Sequence, residues 1–257
     1  MPSLRTLADF LDDTLQIASV PDYANAVNGV QLANIGDVQR IATAVDFSSE
    51  SVRRAIDIGA RLLLVHHGMF WGGVQPITEH RHQRLWNLIT HDVAVYSAHL
   101  PLDVHPDIGN NALLARRLGL TPSGGFARYQ SIEVGLSGIA DIPTHVIAGR
   151  ARQLAEEFGG ALVGPPIADD RRTRAWGICT GSGADSSTLR EAVERQLDTL
   201  IVGEGPHHTA VEARELGIVV LYAGHYATET LGVRALGELL AERFSLSSEF
   251  IDVPTGL

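Results

Sequence analysis

The chain has 257 residues, 45% of them hydrophobic, which is enough to bury a core as one large domain or two small ones. A net charge of −10 with no basic run argues against nucleic-acid binding, and no apolar stretch approaches the ~20 residues of a membrane span. The acidic N-terminus does not resemble a signal peptide, and a single cysteine favours a reducing cytoplasm.

Predicted helices and strands alternate through the first half of the chain. The hydrophobic pattern predicts helices over residues 5–18, 50–59, 80–91 and 107–118, and strands over residues 41–46, 61–65 and 93–97. Ser48 and Ser49 are suitable caps for the second helix, and Gly119 ends the last one. This order is typical of α/β units with parallel strand pairs.

The second half repeats the first after a looser segment that starts at residue 121. A strand over 131–138 and a helix over 143–158 come first. An offset of 137 positions then places Ile41 on Ile178 and Leu63 on Leu200 without a gap. Beyond a length difference of 11 residues, His99 falls on His225. Any two strand–helix–strand units share apolar spacing, but a tyrosine, a histidine and an acid matched in one order favour a duplication.

Two adjacent histidines, His66 and His67, follow the apolar run over residues 61–65. Adjacent side chains on a strand point to opposite faces, so both can reach one site only if the strand has ended and the chain turns at Gly68. The alternative is chance, because the chain contains 11 histidines.

Each half then places a carboxylate four residues after a histidine. Pro101 predicts an extended turn between His99 and Asp103, and Asp103 could also be a simple cap. His99 could be a ligand, a proton shuttle or a partner that orients a carboxylate. His225 and Glu229 can face one side of a helix, a spacing that suits a divalent metal.

These side chains together predict a metal site made of nitrogen and oxygen donors. The candidate ligands offer three imidazoles and two carboxylates: His66, His67, Asp103, His225 and Glu229. For two metals this is a small set, which leaves room for a bridging carboxylate and for water. Such a site suits Zn, Mn or Fe and can produce a metal-bound hydroxide for hydrolysis.

Weaker signals lie in the second half. The loop Gly181-Ser182-Gly183 could cradle a phosphate, or it could be a simple strand–helix turn. Glu204 matches His67 in the repeat, and His207 and His208 behind it are either a second source of histidine or surface residues. No Gly-x-Ser-x-Gly motif occurs and Cys179 lies within a predicted strand, so serine or cysteine nucleophiles are not supported.

Three segments together resemble the type-two GTP cyclohydrolase I family, also called the NGG-interacting-factor-3-like proteins. They are Val65-His66-His67-Gly68-Met69-Phe70-Trp71, the segment from Ser97 to Asp103, and Gly224-His225-Tyr226-Ala227-Thr228-Glu229. Asn28-Gly29-Val30-Gln31, Gly181-Ser182-Gly183 and Gly203-Glu204 also fall where the family has similar segments. The resemblance therefore covers essentially the whole chain in the right order.

The resemblance implies an α/β fold of two intertwined, duplicated lobes with mixed, largely parallel sheets and a metal site between them. The first lobe is expected over residues 1–120, completed by about 225–257, and the second over 121–224, with no inserted extra domain. The resemblance also implies the five candidate ligands above, two divalent metal ions and a toroidal homohexamer.

The function expected from these features is that of a dinuclear-metal-dependent hydrolase in the cytoplasm. A GTP cyclohydrolase would attack guanine C8 with a metal-bound hydroxide, with His99 or Glu204 as the proton-transfer residue. The alternative is a non-catalytic metal-binding protein, such as a metal carrier or an assembly scaffold. A DNA-associated ring is disfavoured by the charge of −10.

Overall fold

Two compact units make up the chain in the computed structural model, which describes residues 1–257. Unit 1 contains residues 1–102 and 232–253, and unit 2 contains residues 103–231 and 254–257. The chain passes into unit 2 after Leu102, returns to unit 1 after Leu231 and ends in unit 2. Neither unit is one continuous segment, which is the intertwined arrangement expected from the sequence.

Unit 1 is built on a five-stranded sheet. Its strands are β1 (Gly29–Leu32), β2 (Arg40–Asp46), β3 (Leu62–His67), β4 (Ala94–Ser97) and β10 (Ser247–Phe250), in the order β1-β4-β3-β2-β10. Only β1 is antiparallel to its neighbour. Its helices are α1 (Leu4–Leu15), α2 (Ser49–Asp57), α3 (Glu79–Thr90) and the second part of α9 (His225–Phe244), and most of α4 (Leu100–Asp103) also belongs to it.

Unit 2 has a second five-stranded sheet. Its strands are β5 (Gly124–Tyr129), β6 (Ile132–Pro143), β7 (Arg172–Cys179), β8 (Thr199–Val202) and β9 (Val219–Tyr222), paired in sequence order. The β7–β8–β9 part is parallel, whereas β5, β6 and β7 are antiparallel. Its helices are α5 (Asn110–Leu118), α6 (Thr144–Glu157), α7 (Ser186–Glu194), α8 (His207–Glu215) and the start of α9.

The duplication predicted from the sequence is present in the fold. Helices α2 and α7 have the same length and are separated by the predicted offset, and both start with a capping box, built on Ser48 in one and Asp185 in the other. The matched pair Ile41 and Ile178 is fully buried in the respective sheets. The α/β fold of two intertwined, duplicated lobes with mixed, largely parallel sheets is therefore confirmed.

The buried strands explain where the candidate ligands lie. Every residue of β3 is buried, as expected for a parallel strand covered on both faces, and Leu62, Leu63 and Leu64 each stabilise the fold by about 1.5–3 kcal/mol through burial. Since β2, β3 and β4 are parallel, their carboxyl ends meet at one edge, where α/β sheets bind ligands. That edge carries the first group of histidines.

Two local predictions around these histidines are wrong. Strand β3 does not end before His66 but continues through His67. The segment after His99 is the helical turn α4 rather than an extended turn, with Leu102 N–H donating to His99 O at 2.9 Å. Pro101 is compatible with this turn because the first residues of a helix need no N–H donor.

None of the helices combines the length and the apolar character that crossing a membrane requires.

Candidate metal centre

Three buried histidines converge at the carboxyl edge of the sheet in unit 1. His66, His67 and His99 place their potential ligand atoms within 4.8 Å of one another. The ring centroid of His66 lies 4.8 Å from those of both His67 and His99. These three residues are called the histidine group below. The group contains His66 and His67, which the sequence predicts as ligands, and His99, which it predicts as a proton-transfer residue.

Each ring of the histidine group has its Nδ1 atom against an oxygen acceptor. The partners are Ala98 O for His66 at 2.9 Å, Asp46 Oδ1 for His67 at 2.9 Å and Asp22 Oδ1 for His99 at 2.8 Å. Since carbonyl and carboxylate oxygens only accept, Nδ1 carries the proton and Nε2 carries the lone pair in each neutral ring. Histidines that bind metals are typically held this way, so the group fits a divalent ion and could hold one.

Asp22 fixes the position of His99 through both carboxylate oxygens. Besides the His99 contact, its Oδ2 accepts from Leu100 N–H at 2.9 Å and from Asn28 Nδ2 at 2.8 Å. Burial alone would raise the pKa of Asp22, but the hydrogen bonds from His99 and Asn28 lower it below its ordinary value. Asp22 is therefore an ionised carboxylate that accepts a hydrogen bond from His99 Nδ1.

An aromatic face borders the histidine group. The Trp71 ring lies 4.7 Å from His67 and 4.4 Å from His99, between centroids. Tyr23 packs edge-on against Trp71 at 6.3 Å and is 49% exposed. A planar molecule entering beside the histidines would meet π surface rather than charge.

A second group of donors lies at the start of α9 in unit 2. His225 Nδ1 donates to Glu204 Oε1 at 2.9 Å, and His225 Nε2 lies 3.1 Å from Glu229 Oε2. The helical spacing predicted for His225 and Glu229 is therefore correct. Glu204 also accepts from Ser182 Oγ at 3.1 Å. Its contact with the imidazole makes Glu204 a residue that orients His225.

The pKa of His225 is strongly perturbed by its two carboxylate neighbours. Burial alone would lower it, but hydrogen bonds and charge interactions with Glu229 and then Glu204 raise it to about 9, from an ordinary value of 6.5. His225 is therefore protonated at neutral pH without metal. Coordination of an ion by this ring must release a proton.

The metal-free protein should consequently lose stability as the pH rises. A histidine whose pKa is raised by folding stabilises fully below pH 6.5, and this contribution disappears as the pH passes through about 9. Unfolding in urea at pH 6 and at pH 9.5 should show that the H225Q variant loses less stability than the wild type over this interval. The H208Q variant, which changes an exposed histidine, should match the wild type. Equal losses in wild type and H225Q would contradict the assignment.

The glycine loop predicted before α7 lies against Glu229. Gly181 has φ of +62°, and a Cβ atom there would lie 2.1 Å from Glu229 Oε1. The Gly181 N–H donates to Thr228 Oγ1 at 3.1 Å and its carbonyl accepts from Glu204 N–H at 2.8 Å. The loop therefore brings the backbone of Gly181 close to the carboxylate of Glu229.

Asp103, the remaining predicted ligand, is buried at the end of α4 in unit 2. Its Oδ1 accepts from Asn110 Nδ2 at 2.8 Å and from Thr180 Oγ1 at 3.4 Å, so the side chain is held between α5 and the loop that follows β7. Asn111 holds the backbone of both residues: its side chain donates to Asp103 O at 3.3 Å and accepts from Thr180 N–H at 3.0 Å.

The other candidate residues from the sequence, His207, His208 and Cys179, belong to neither group of donors. His207 and His208 are exposed at the start of α8. Cys179 is the last residue of β7 and is buried. Burial and then the negative charge of Asp103 raise the pKa of its thiol far above the ordinary value, so it is not a thiolate.

The oxygen partners of the histidines were not predicted from the sequence. Asp46 had a usable signal, because it ends β2 and pairs in register with His67 on β3. Asp22 had none, since it lies in an irregular loop 77 positions before His99.

Comparison with known proteins identifies the relatives of this chain. The model of the Duf34/NIF3 (NGG1p interacting factor 3) family matches residues 2–255. A protein of Halobacterium salinarum is 42% identical over 252 residues, covering 93% of this chain and 94% of its own length. One of Archaeoglobus fulgidus is 36% identical over 255 residues, covering 99% of this chain and all of its own length. Both are named GTP cyclohydrolase 1 type 2 homolog.

Solved structures agree with this relationship. The structure of ybgI, a protein described as of unknown function, superposes with a TM-score of 0.88 at 33% identity and full coverage of both chains. A protein from Thermus thermophilus gives a TM-score of 0.80, also at 33% identity and full coverage of both chains. With a family model and relatives that both span nearly its full length, this chain belongs to the Duf34/NIF3 (NGG1p interacting factor 3) family.

Proposed function

We propose that this protein is a metal-dependent hydrolase that acts on a nucleotide with two divalent ions, Zn, Mn or Fe. The proposed ligands are His66, His67, Asp103, His225 and Glu229. The observation that carries the proposal is the convergence of buried imidazoles whose Nδ1 atoms are all held by oxygen acceptors. The assignment of all five ligands to one dinuclear centre rests on the order and identity of the motifs in the sequence.

The chemistry requires a Lewis acid, an activated water and a proton-transfer group. Two bound divalent ions would supply the Lewis acid and would lower the pKa of a water molecule towards neutrality. His99 is the proposed proton-transfer residue, because Asp22 keeps the ring proton on Nδ1 and so leaves the lone pair of Nε2 to accept a proton. Glu204 is proposed to keep Nδ1 of His225 protonated and so direct Nε2 towards the ion.

A purine nucleotide is the proposed substrate. The aromatic face of Tyr23 and Trp71 suits a planar base, and relatives are named for GTP cyclohydrolase. In the proposed reaction water adds to guanine C8, the C8–N9 bond breaks, and N7 keeps the carbon as a formamide. The C8 carbon leaves as formate only if a second water follows.

Turnover of GTP followed by mass spectrometry tests the proposal. Protein loaded with Zn, Mn or Fe should give a ring-opened or pterin product, and the D103A variant prepared in parallel should give none. Unchanged GTP with every metal would remove the cyclohydrolase assignment. A metal carrier or assembly scaffold would then be the function that the donors support.

We also propose that the chain forms a homohexameric ring in the cytoplasm. The ring is inferred from the sequence resemblance, and the location from the single cysteine, which is buried. Light scattering at micromolar concentration should give the mass of six chains. A monomer mass would contradict the ring.

A further inference from the structure

A cavity of about 460 Å³ lies at the edge of the sheet in unit 2. It is bordered by strand β9, helix α8 and the segment over residues 163–171, and it contains none of the candidate metal ligands. Its volume is within the range of small-molecule sites, about 300–1,000 Å³. The cavity is therefore large enough for a ligand of its own.

One wall of the cavity is an incompletely paired edge strand. Val163 exchanges both backbone hydrogen bonds with Tyr222 on β9, at 2.9 and 2.8 Å. The same antiparallel register would next pair Val220 with Pro165, which has no N–H to donate. Val219 N–H donates towards β8, so the N–H of Val220 points to the other side, where the cavity lies.

Two arginines that line the cavity add positive charge to it. Arg171 lines the cavity and donates from Nη2 to Asp198 O at 2.8 Å. Arg214 lines the cavity from α8 and is exposed. A guanidinium at the wall of a cavity can donate charge-assisted hydrogen bonds to an anionic oxygen placed there.

The remaining surface of the cavity is mainly apolar. Val163, Pro165, Pro166 and Ile218 contribute to it, and no acidic side chain lines it. In a chain with a net charge of −10, an anion is held only where local cations outweigh the overall field. A guanidinium pair beside an apolar pocket is such a place.

We propose that this cavity binds a small monocarboxylate with an apolar body. The carboxylate oxygens accept from the guanidinium groups of Arg171 and Arg214 and from the N–H of Val220, and the body fills the apolar side. These few donors match the two oxygens of a carboxylate, whereas a phosphate dianion would leave charged oxygens against apolar walls.

Binding of 3-phenylpropionate to the metal-loaded protein, measured by calorimetry and saturation-transfer NMR, tests this site. The wild type should bind the acid, and uncharged 3-phenylpropanamide should bind at least 10-fold more weakly. The R214Q variant should lose at least 10-fold in affinity, and A210F, which fills the mouth from α8, should lose as much. R190Q, which changes an exposed arginine of α7 outside the cavity, should bind as the wild type does.

A carboxylate can also coordinate a metal, so D103A is the second control. Unchanged binding of 3-phenylpropionate in D103A supports the cavity, whatever becomes of GTP turnover. Loss of binding in D103A with full binding in R214Q would overturn the proposal. Absence of binding to the wild type up to millimolar concentration, or equal binding of the acid and the amide, would also overturn it.

Discussion

The D103A variant is expected to lose at least one metal ion per chain while it remains folded. Asp103 is 5% exposed, and two donors, Asn110 and Thr180, hold its Oδ1 atom. Removing an outer partner of a metal ligand typically costs 10–100-fold in affinity, so the loss of a ligand should exceed about 100-fold. Elemental analysis of the purified variant, beside its thermal unfolding curve, measures both quantities.

The fold should survive because the change removes a buried carboxylate together with its desolvation cost. Asn110 and Thr180 each lose one acceptor, at about 1–3 kcal/mol each, against a typical domain stability of about 5–15 kcal/mol. The D107A variant is the matched control, since Asp107 is an exposed carboxylate only four residues away. It should keep the wild-type metal content. Unchanged stoichiometry in D103A would eliminate Asp103 as a ligand.

The duplication could be predicted because its evidence is local and periodic. Buried strands require continuous apolar runs, and the matched positions Leu63 and Leu200 fall in the middle of such runs and are fully buried. Caps are also local, so Ser48 could be assigned to α2 before any contact was known. These features depend on neighbours in the chain rather than on partners far away.

The partners of the histidines could be predicted only in part, because they depend on tertiary contacts. Asp22 reaches His99 from a loop whose path depends on Asn28, which donates to Asp22 and accepts from His99 N–H. Such a loop has no hydrophobic periodicity from which its path could be predicted. The extended turn predicted at Pro101 is wrong because the hydrogen bond from Leu102 N–H to His99 O starts a helical turn there. This contact outweighs the preference of the residue before a proline for extended backbone.

The convergence of His66 and His67 differs from the prediction for a related reason. Adjacent side chains on a strand point to opposite faces, so the sequence predicts that His66 and His67 reach one site only if the chain turns after the strand. Instead β3 continues. The carbonyl of Ala98, directly after β4, holds the ring of His66, and the carboxylate of Asp46, at the end of β2, holds the ring of His67. A ring reaches farther from the backbone than Cβ does, so the acceptor that fixes Nδ1 decides where Nε2 points.

The G181A variant should lose metal affinity and stability together. With φ of +62°, an alanine at this position costs about 1–2 kcal/mol of backbone strain. Its Cβ would also stand 2.1 Å from Glu229 Oε1, in a loop whose N–H and carbonyl are both hydrogen-bonded. The carboxylate has little room to retreat, because Glu229 is 3% exposed and lies against His225.

The G59A variant separates the two effects of G181A, which are backbone strain and displacement of Glu229. Gly59 has φ of +72°, and a Cβ atom there would meet nothing within 4 Å, so G59A carries the strain alone. Both variants should unfold at lower temperature, but only G181A should bind metal at least 10-fold more weakly, as calorimetric titration would measure, because only there is a proposed ligand displaced. Equal affinities in G181A and G59A would mean that Glu229 either yields without cost or does not bind the ion.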